Sequence, residues 1–159
     1  MALVSSKEMF EKAYKGGYSL FRFNITEWMR PGQCNRVEVR VDNSVRDDVY
    51  PIAADYTFFG GIYRDCWLIA HNNVFITDPN YENEVAGGGL FVAFGKVSDA
   101  LAEVQLKIHV RNATKNPFSG RVEYMLLQPD GTEVARLSDK IQVKAGRATT
   151  VSDRMPVKQ

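Results

Sequence analysis

The sequence predicts an all-β fold, and three observations carry that reading. Apolar and polar residues alternate with period two in several segments, as half-buried strands require. Turn-forming clusters of Gly, Pro, Asn and Asp recur at intervals of roughly 8–12 residues. Helical spacing is confined to one short stretch near the N-terminus.

Taken in order, the elements begin with that helix, expected over 5–15. Ser5 and Glu8 have capping-box spacing, Phe10, Ala13 and Tyr14 share a face, and Gly16-Gly17 stops it. Phe21, Phe23 and Ile25 then alternate with Arg22, Asn24 and Thr26, predicting a strand. Arg30-Pro31-Gly32-Gln33 is a turn. Val37, Val39 and Val41 alternate with Glu38, Arg40 and Asp42, predicting a second strand, and an irregular run follows from Asn43 to Thr57. Residues 62–70 are apolar enough for a central strand, Val74-Phe75-Ile76 for a short one, and Thr77 to Glu84 read as a loop.

A second unit is expected from residue 85. A strand follows Gly87-Gly88-Gly89, and Val104, Leu106, Ile108 and Val110 alternate cleanly with Gln105, Lys107, His109 and Arg111. Val122, Tyr124 and Leu126 form the next strand. Gln128-Pro129-Asp130-Gly131 is a turn in which Pro129 fixes φ and Gly131 tolerates positive φ. Strands at Val134–Leu137, Ile141–Val143 and 148–152 complete the pattern. That spacing predicts an antiparallel sandwich of immunoglobulin type, without the Cys…Trp…Cys pattern of antibody domains.

Composition narrows function by exclusion. The chain has 159 residues, 45% hydrophobic and 25% charged, with a net charge of +1. Basic residues are scattered among nearly equal numbers of acids, so neither nucleic acid nor an anionic membrane is an expected partner. No run approaches the ~20 apolar residues of a membrane helix. The opening residues are too charged for a signal peptide, which leaves the localisation open. Cys34 and Cys66 are expected as free thiols of small-hydrophobe character. The sequons Asn24-Ile25-Thr26 and Asn112-Ala113-Thr114 are short enough to arise by chance. His71 and His109 read as strand-end or surface histidines; no metal site and no cofactor are expected.

Three pieces carry a resemblance: Gly-Gly-Tyr-x-x-Phe-x-Phe-x-Ile-Thr at 16–26, Val-Arg-Val-Asp-Asn at 39–43, and Phe-Gly-Gly-Ile-Tyr-Arg-Asp at 59–65. In this order and spacing they resemble glycoside hydrolase family 2, the β-galactosidase and β-glucuronidase family. The resemblance implies a partial galactose-binding-like jelly roll over 1–84 and an immunoglobulin-like β-sandwich over 85–159, without the catalytic (β/α)₈ barrel. It further implies that the parent hydrolyses O-glycosyl bonds of a β-linked carbohydrate. A barrel alone needs about 250 residues, so the isolated chain is expected to be inactive, with no catalytic residue of its own. Asn83-Glu84 matches the Asn-Glu of the family's acid/base site in sequence alone, and its place in a loop between sandwiches rejects it.

The candidate site lies between Asp55 and Ile69. By resemblance, Asp55 reaches the sugar site of the parent and holds sugar hydroxyls or a metal ion there, since a carboxylate accepts bonds from adjacent hydroxyls; a solvated loop acid or a helix or turn cap is the alternative. Tyr56, with Tyr50, Phe58 and Phe59, offers aromatic faces for a pyranose, or else is part of the core or of a surface buried against another domain. Gly60-Gly61 is expected to make a turn or bulge. Arg64 and Asp65 are expected on opposite faces of the strand, each paired elsewhere so as to tie it to a neighbouring loop or domain, with direct ligand contact as the alternative. Asp42 and Asn43 are expected to serve the turn after their strand. Two other functions stay open, a free-standing carbohydrate-binding module and a structural β-sandwich. Unpaired jelly-roll edges predict self-association.

Overall fold

The fold was obtained as a computed structural model, which describes residues 2–3, 12–16, 18–49, 55, 59–82, 84 and 87–158. It is nearly all β, with one four-residue α-helix and one three-residue 3-10 helix among the described residues. The chain divides into two compact units, 1–68 and 69–159.

In the first unit three two-residue strands form a small antiparallel sheet. β1 (Ala2–Leu3) lies between β2 (Lys12–Ala13) and β3 (Val39–Arg40). The expected helix over 5–15 does not extend through Lys12–Ala13, which are extended; residues 5–11 lie outside the described residues. A helix of that length is marginal in water, and pairing with β1 satisfies the backbone of β2 instead. The strand expected at Phe21–Thr26 is replaced by aromatic packing and a turn. Phe21 stacks on Tyr14 with ring centres 4.8 Å apart and lies 5.5 Å from Phe23. Asn24 Oδ1 accepts hydrogen bonds from the Thr26 backbone N–H (3.0 Å) and hydroxyl (2.7 Å), which turns the chain into the 3-10 helix Thr26–Trp28. Asp42 makes the turn its position predicts: its carboxylate accepts from the Ser44 hydroxyl and N–H, which holds its pKa below the usual value. Residues 62–70 are exposed and carry no ladder, contrary to the expected central strand. A strand exists only where a neighbour takes up its N–H and C=O groups, and among the described residues none does so here. Cys34 and Cys66 are free, as expected, but both are exposed rather than buried.

The second unit is a two-layer sandwich. Its strands are β4 (Val74–Ile76), β5 (Leu90–Val97), β6 (Leu101–Asn112), β7 (Phe118–Leu127), β8 (Glu133–Val143) and β9 (Ala148–Lys158). One layer is built on β6, which pairs along one edge with β9 and along the other with β5 and then β4, all antiparallel. The other layer is the β7–β8 hairpin. Its turn behaves as Gln128-Pro129-Asp130-Gly131 predicts: Gln128 N–H donates to Thr132 O (2.8 Å) and Gly131 takes φ +88°. β8 is one strand where two were expected, because Ser138-Asp139-Lys140 stay paired with Arg121–Glu123. β9 likewise runs on from 152 to Lys158 along β6.

The core lies between the layers. Val104, Leu106, Ile108 and Val110 of β6, with Met155 of the neighbouring β9, form the core with Tyr124 of β7 and Ile141 and Val143 of β8. Each such side chain is worth about 1.5–3 kcal/mol of burial. Tyr124 carries a buried hydroxyl with no hydrogen-bond partner among the described residues, as does Asp153 Oδ2. Burial first, and the nearby Asp153 carboxylate second, push the Tyr124 pKa up. No helix among the described residues is long and apolar enough to cross a membrane.

Candidate functional site

The segment that opens at Asp55 is positioned by its glycines. A Cβ on Gly60 would sit 2.7 Å from Asn43 Cγ, so only glycine lets the Asn43 side chain approach this backbone. Gly61 has φ +126°, a conformation that L residues avoid. Asn43 thus buttresses the glycine corner. Beyond it, Tyr63, Arg64, Asp65 and Trp67 line a shallow groove of about 460 Å³ together with Leu20. Tyr18 packs edge-on against Tyr63 with ring centres 5.9 Å apart, and the Arg64 guanidinium lies 5.4 Å from the centre of the Tyr63 ring. Trp67 is 79% exposed.

Arg64 and Asp65 are both exposed, where partnered burial was expected. Without a sheet around this segment, nothing removes either charge from water, and neither needs a counter-ion. Chemically, the groove offers an indole face, a phenol, a guanidinium that donates and a carboxylate that accepts. Those groups suit the apolar face and the hydroxyls of a sugar ring. They do not form a hydrolytic pair, since a retaining mechanism requires two carboxylates about 5–5.5 Å apart and Asp65 is the one acid that lines the groove among the described residues. Asp55 sits at an exposed bend and is not among the groove-lining residues. Phe59 is exposed, whereas Tyr50, Tyr56 and Phe58 lie outside the described residues.

A second polar cluster lies in the sandwich, where sequence reasoning did not place one. His109, expected at a strand end or surface, is buried within β6, three residues before its last residue. The Thr77 hydroxyl lies 2.8 Å from His109 Nδ1 and 3.2 Å from its carbonyl, and accepts the Gly89 N–H at 2.9 Å. Glu84 Oε1 is 4.0 Å from His109 Nε2. The grouping of hydroxyl, imidazole and carboxylate superficially resembles a nucleophilic triad. Thr77 is nevertheless buried, and its oxygen is saturated by internal bonds, so no substrate reaches it. The cluster instead fixes the connector between β4 and β5. The same connector contains α1 (Pro79–Glu82), capped by Asp78, whose carboxylate accepts the Asn80 and Tyr81 N–H groups at 3.0 and 3.1 Å. Glu82 grips Arg111 of β6 in a two-pronged pair, which raises the Arg111 pKa. Asp78-Pro79 was the available signal for α1, an N-cap followed by proline at the first helical position.

Asn112 was the other residue missed. It is fully buried, and its side chain is saturated: Nδ2 donates to Asn116 O (2.8 Å) and Val143 O (3.1 Å), while Oδ1 accepts Thr114 N–H (2.9 Å) and hydroxyl (2.7 Å). The Asn112-Ala113-Thr114 tripeptide is therefore a structural turn that ties β6 to β8, with an amide nitrogen closed to modification. No group of three or more metal-ligating side chains occurs among the described residues.

No family model matches the chain. Individual proteins do. A β-glucuronidase of Bacteroides fragilis is 33% identical over 134 residues, which is 84% of this chain and 18% of that protein. A β-galactosidase of Thermoanaerobacter pseudethanolicus is 30% identical over 125 residues, 77% of this chain and 15% of that protein. Among solved structures, the crystal structure of a Bacteroides uniformis β-glucuronidase superposes with a TM-score of 0.71 at 35% identity, covering 86% of this chain and 16% of that one. The chain thus spans less than a fifth of the length of the relatives it matches. Sequence, all-β fold and both kinds of relative agree that the chain belongs to glycoside hydrolase family 2, as a partial, N-terminal portion of such a protein.

Proposed function

We propose that this chain is a non-catalytic portion of a β-glucuronidase- or β-galactosidase-like enzyme, where it buttresses a catalytic barrel and shapes one wall of the sugar site. The observation that carries the reading is the B. fragilis β-glucuronidase match, which takes up most of this chain and under a fifth of the relative. The partition into a jelly-roll part at 1–84 and an immunoglobulin-like part at 85–159 belongs to the same proposal. The two-layer arrangement of the second unit supports its latter half, and β4 adds a strand to that sandwich from before residue 85. Asp55 is the residue proposed to reach the sugar, from its exposed bend.

A segment exchange tests the reading. The matching residues of the B. fragilis relative are replaced by this chain, and hydrolysis of a chromogenic β-glucuronide and a chromogenic β-galactoside is measured. Activity on one of them, weakened by Asp55→Ala mainly through KM, is the expected result. A folded chimaera without activity would defeat the proposal.

The exposed groove of Tyr63, Arg64, Asp65 and Trp67 favours a second reading, a carbohydrate-binding module that works without a barrel. It predicts saturable binding of a simple sugar by the chain alone, lost in Trp67→Ala.

A further inference from the structure

Basic residues are scattered along the sequence, but the second unit gathers five of them at one end. Residues 112–122 and 140–152 together hold Lys115, Arg121, Lys140, Lys144 and Arg147, and not one acid. Asn112 locks the two stretches together. Its side-chain amide donates to Val143 O at 3.1 Å and its backbone N–H to Arg147 O at 2.8 Å, while Gly146 N–H reaches Thr114 O at 3.1 Å. All five cations are exposed, and none forms an ion pair or a side-chain hydrogen bond among the described residues. On the outer face of the hairpin Arg121 stands directly opposite Lys140, and the next pair on that face is Ser119 opposite Gln142. Like charges so placed repel, with Cβ atoms about 4.5–5.5 Å apart. The other end of the same face is neutralised, since Arg136 is held by Glu133 at 2.7 Å and Glu123 at 3.8 Å. Asp139, beside Lys140 in sequence, pairs with core-packed Val122 and so belongs to the inner face of β8. Glu82 is taken by Arg111 of the other layer. A hollow of about 210 Å³ adjoins the cations, lined by Pro117, Phe118, Ser119, Gln142, Val143 and Lys144.

We propose that this end of the second unit binds an acidic polysaccharide, a glycan chain that bears carboxylate or sulfate groups. Arg121, Lys140 and Lys144 take its anions, and the planar fork of Arg121 fits such a group in two parallel bonds. An anion seated there also relieves the repulsion between Arg121 and Lys140. The Ser119 hydroxyl and the Gln142 amide have no side-chain partner among the described residues and take the hydroxyls of the glycan. The hollow is smaller than the roughly 300–1,000 Å³ of a pocket for a whole drug-sized ligand, as suits one sugar unit of a chain that continues outward. Lys115 and Arg147, on the two turns that Asn112 joins, extend the positive surface for the neighbouring units. Nucleic acid fits less well, because bases need stacking platforms, and Phe118, the one aromatic residue of these stretches, is half-buried against the core.

The choice of a glycan as the anion rests on membership of a glycoside hydrolase family; the surface itself uses neither Asp55 nor Trp67. Binding of oligogalacturonate to the 159-residue chain is measured by calorimetry at about 50 and about 150 mM salt, beside neutral oligogalactan and single-stranded DNA of matched charge. Saturable binding of oligogalacturonate is expected, weaker by about threefold or more at the higher salt, with none of the galactan. Arg121→Ser should weaken it by about tenfold, whereas Arg136→Ser, an equal loss of charge at the neutralised end, should change it by less than about twofold. Ser119→Ala combined with Gln142→Ala should weaken it by about threefold with the salt dependence unchanged, which bare ion exchange does not predict. In the unmutated chain, amide shifts on titration should centre on Ser119, Gln142 and Lys144, a readout that needs no variant to fold. No binding, binding indifferent to Arg121→Ser, amide shifts centred elsewhere, or DNA bound as tightly as the glycan each overturns the inference. Trp67→Ala should leave the affinity unchanged; its loss there would place the glycan in the groove of the first unit and overturn this inference in favour of the binding-module reading.

Discussion

Replacing Asn112 with alanine tests the reading of the sequon as a structural turn. The substitution removes four hydrogen bonds from a side chain with no solvent exposure. They are not equivalent. Without Asn112 Oδ1, the single Thr114 hydroxyl proton can turn to Asn116 O, 2.8 Å away, so that loss is partial. Thr114 is only half-buried, and its N–H can turn to water. Val143 O faces the core and loses a buried donor, a change worth about 1–3 kcal/mol. With about 0.5–1 kcal/mol for each of the three remaining bonds, the total is about 2.5–6 kcal/mol, a large share of a domain's usual 5–15 kcal/mol. Urea unfolding followed by circular dichroism measures it. At a slope of about 1–2 kcal/mol/M, the midpoint of the sandwich transition should fall by about 1 M or more. Asn24→Ala is the control. Asn24 makes the same pair of bonds to a Thr two positions on, but on the surface, and should cost no more than about 0.5 kcal/mol. Equal small losses in the two variants would refute the argument that burial gives Asn112 its weight.

Two further substitutions probe the sandwich. Gly89 has φ +62°, and a Cβ there would meet Pro79 Cδ at 2.8 Å and Thr77 O at 3.0 Å. Gly89→Ala should therefore cost more than about 2 kcal/mol in urea melts, against about 1 kcal/mol for Gly131→Ala, which has positive φ but open space. Tyr124→Phe removes a buried hydroxyl that lies near Asp153 but has no well-formed hydrogen bond among the described residues, so stability at pH 7 should change by less than about 1 kcal/mol; a loss above about 2 kcal/mol would mean that the contact with Asp153 is a full hydrogen bond. The Tyr124 pKa is raised in the folded state, so its contribution is complete below the unfolded value of about 10 and fades as pH rises above it. Thermal melts between pH 8 and 11 should show this alkaline loss in the parent chain and a smaller one in Tyr124→Phe.

What the sequence disclosed follows from where each signal is stored. The alternation Val104, Leu106, Ile108, Val110 is written locally, and β6 has neighbours on both edges to realise it, so strand and core were legible together. Residues 62–69 have as strong an apolar signal and form no ladder, because pairing belongs to the neighbour and not to the segment. The same dependence misplaced Arg64 and Asp65, whose opposite faces exist only in a pleated sheet. Gly60 and Gly61 were readable as a corner because their requirement is local. His109 and Asn112 were not readable as buried, since each takes its partners from connectors distant in sequence. The family was legible because three short motifs kept their order, whereas the role proposed for Asp55 is written in no local pattern of residues.

The most direct test of the account is the hydrolysis rate of the purified 159-residue chain on chromogenic β-glucuronide and β-galactoside substrates. No rate above that of buffer is predicted, at any enzyme concentration, because one groove carboxylate cannot serve as both nucleophile and acid. Turnover that scales with the chain, saturates with substrate and is lost on Asp65→Asn would contradict it.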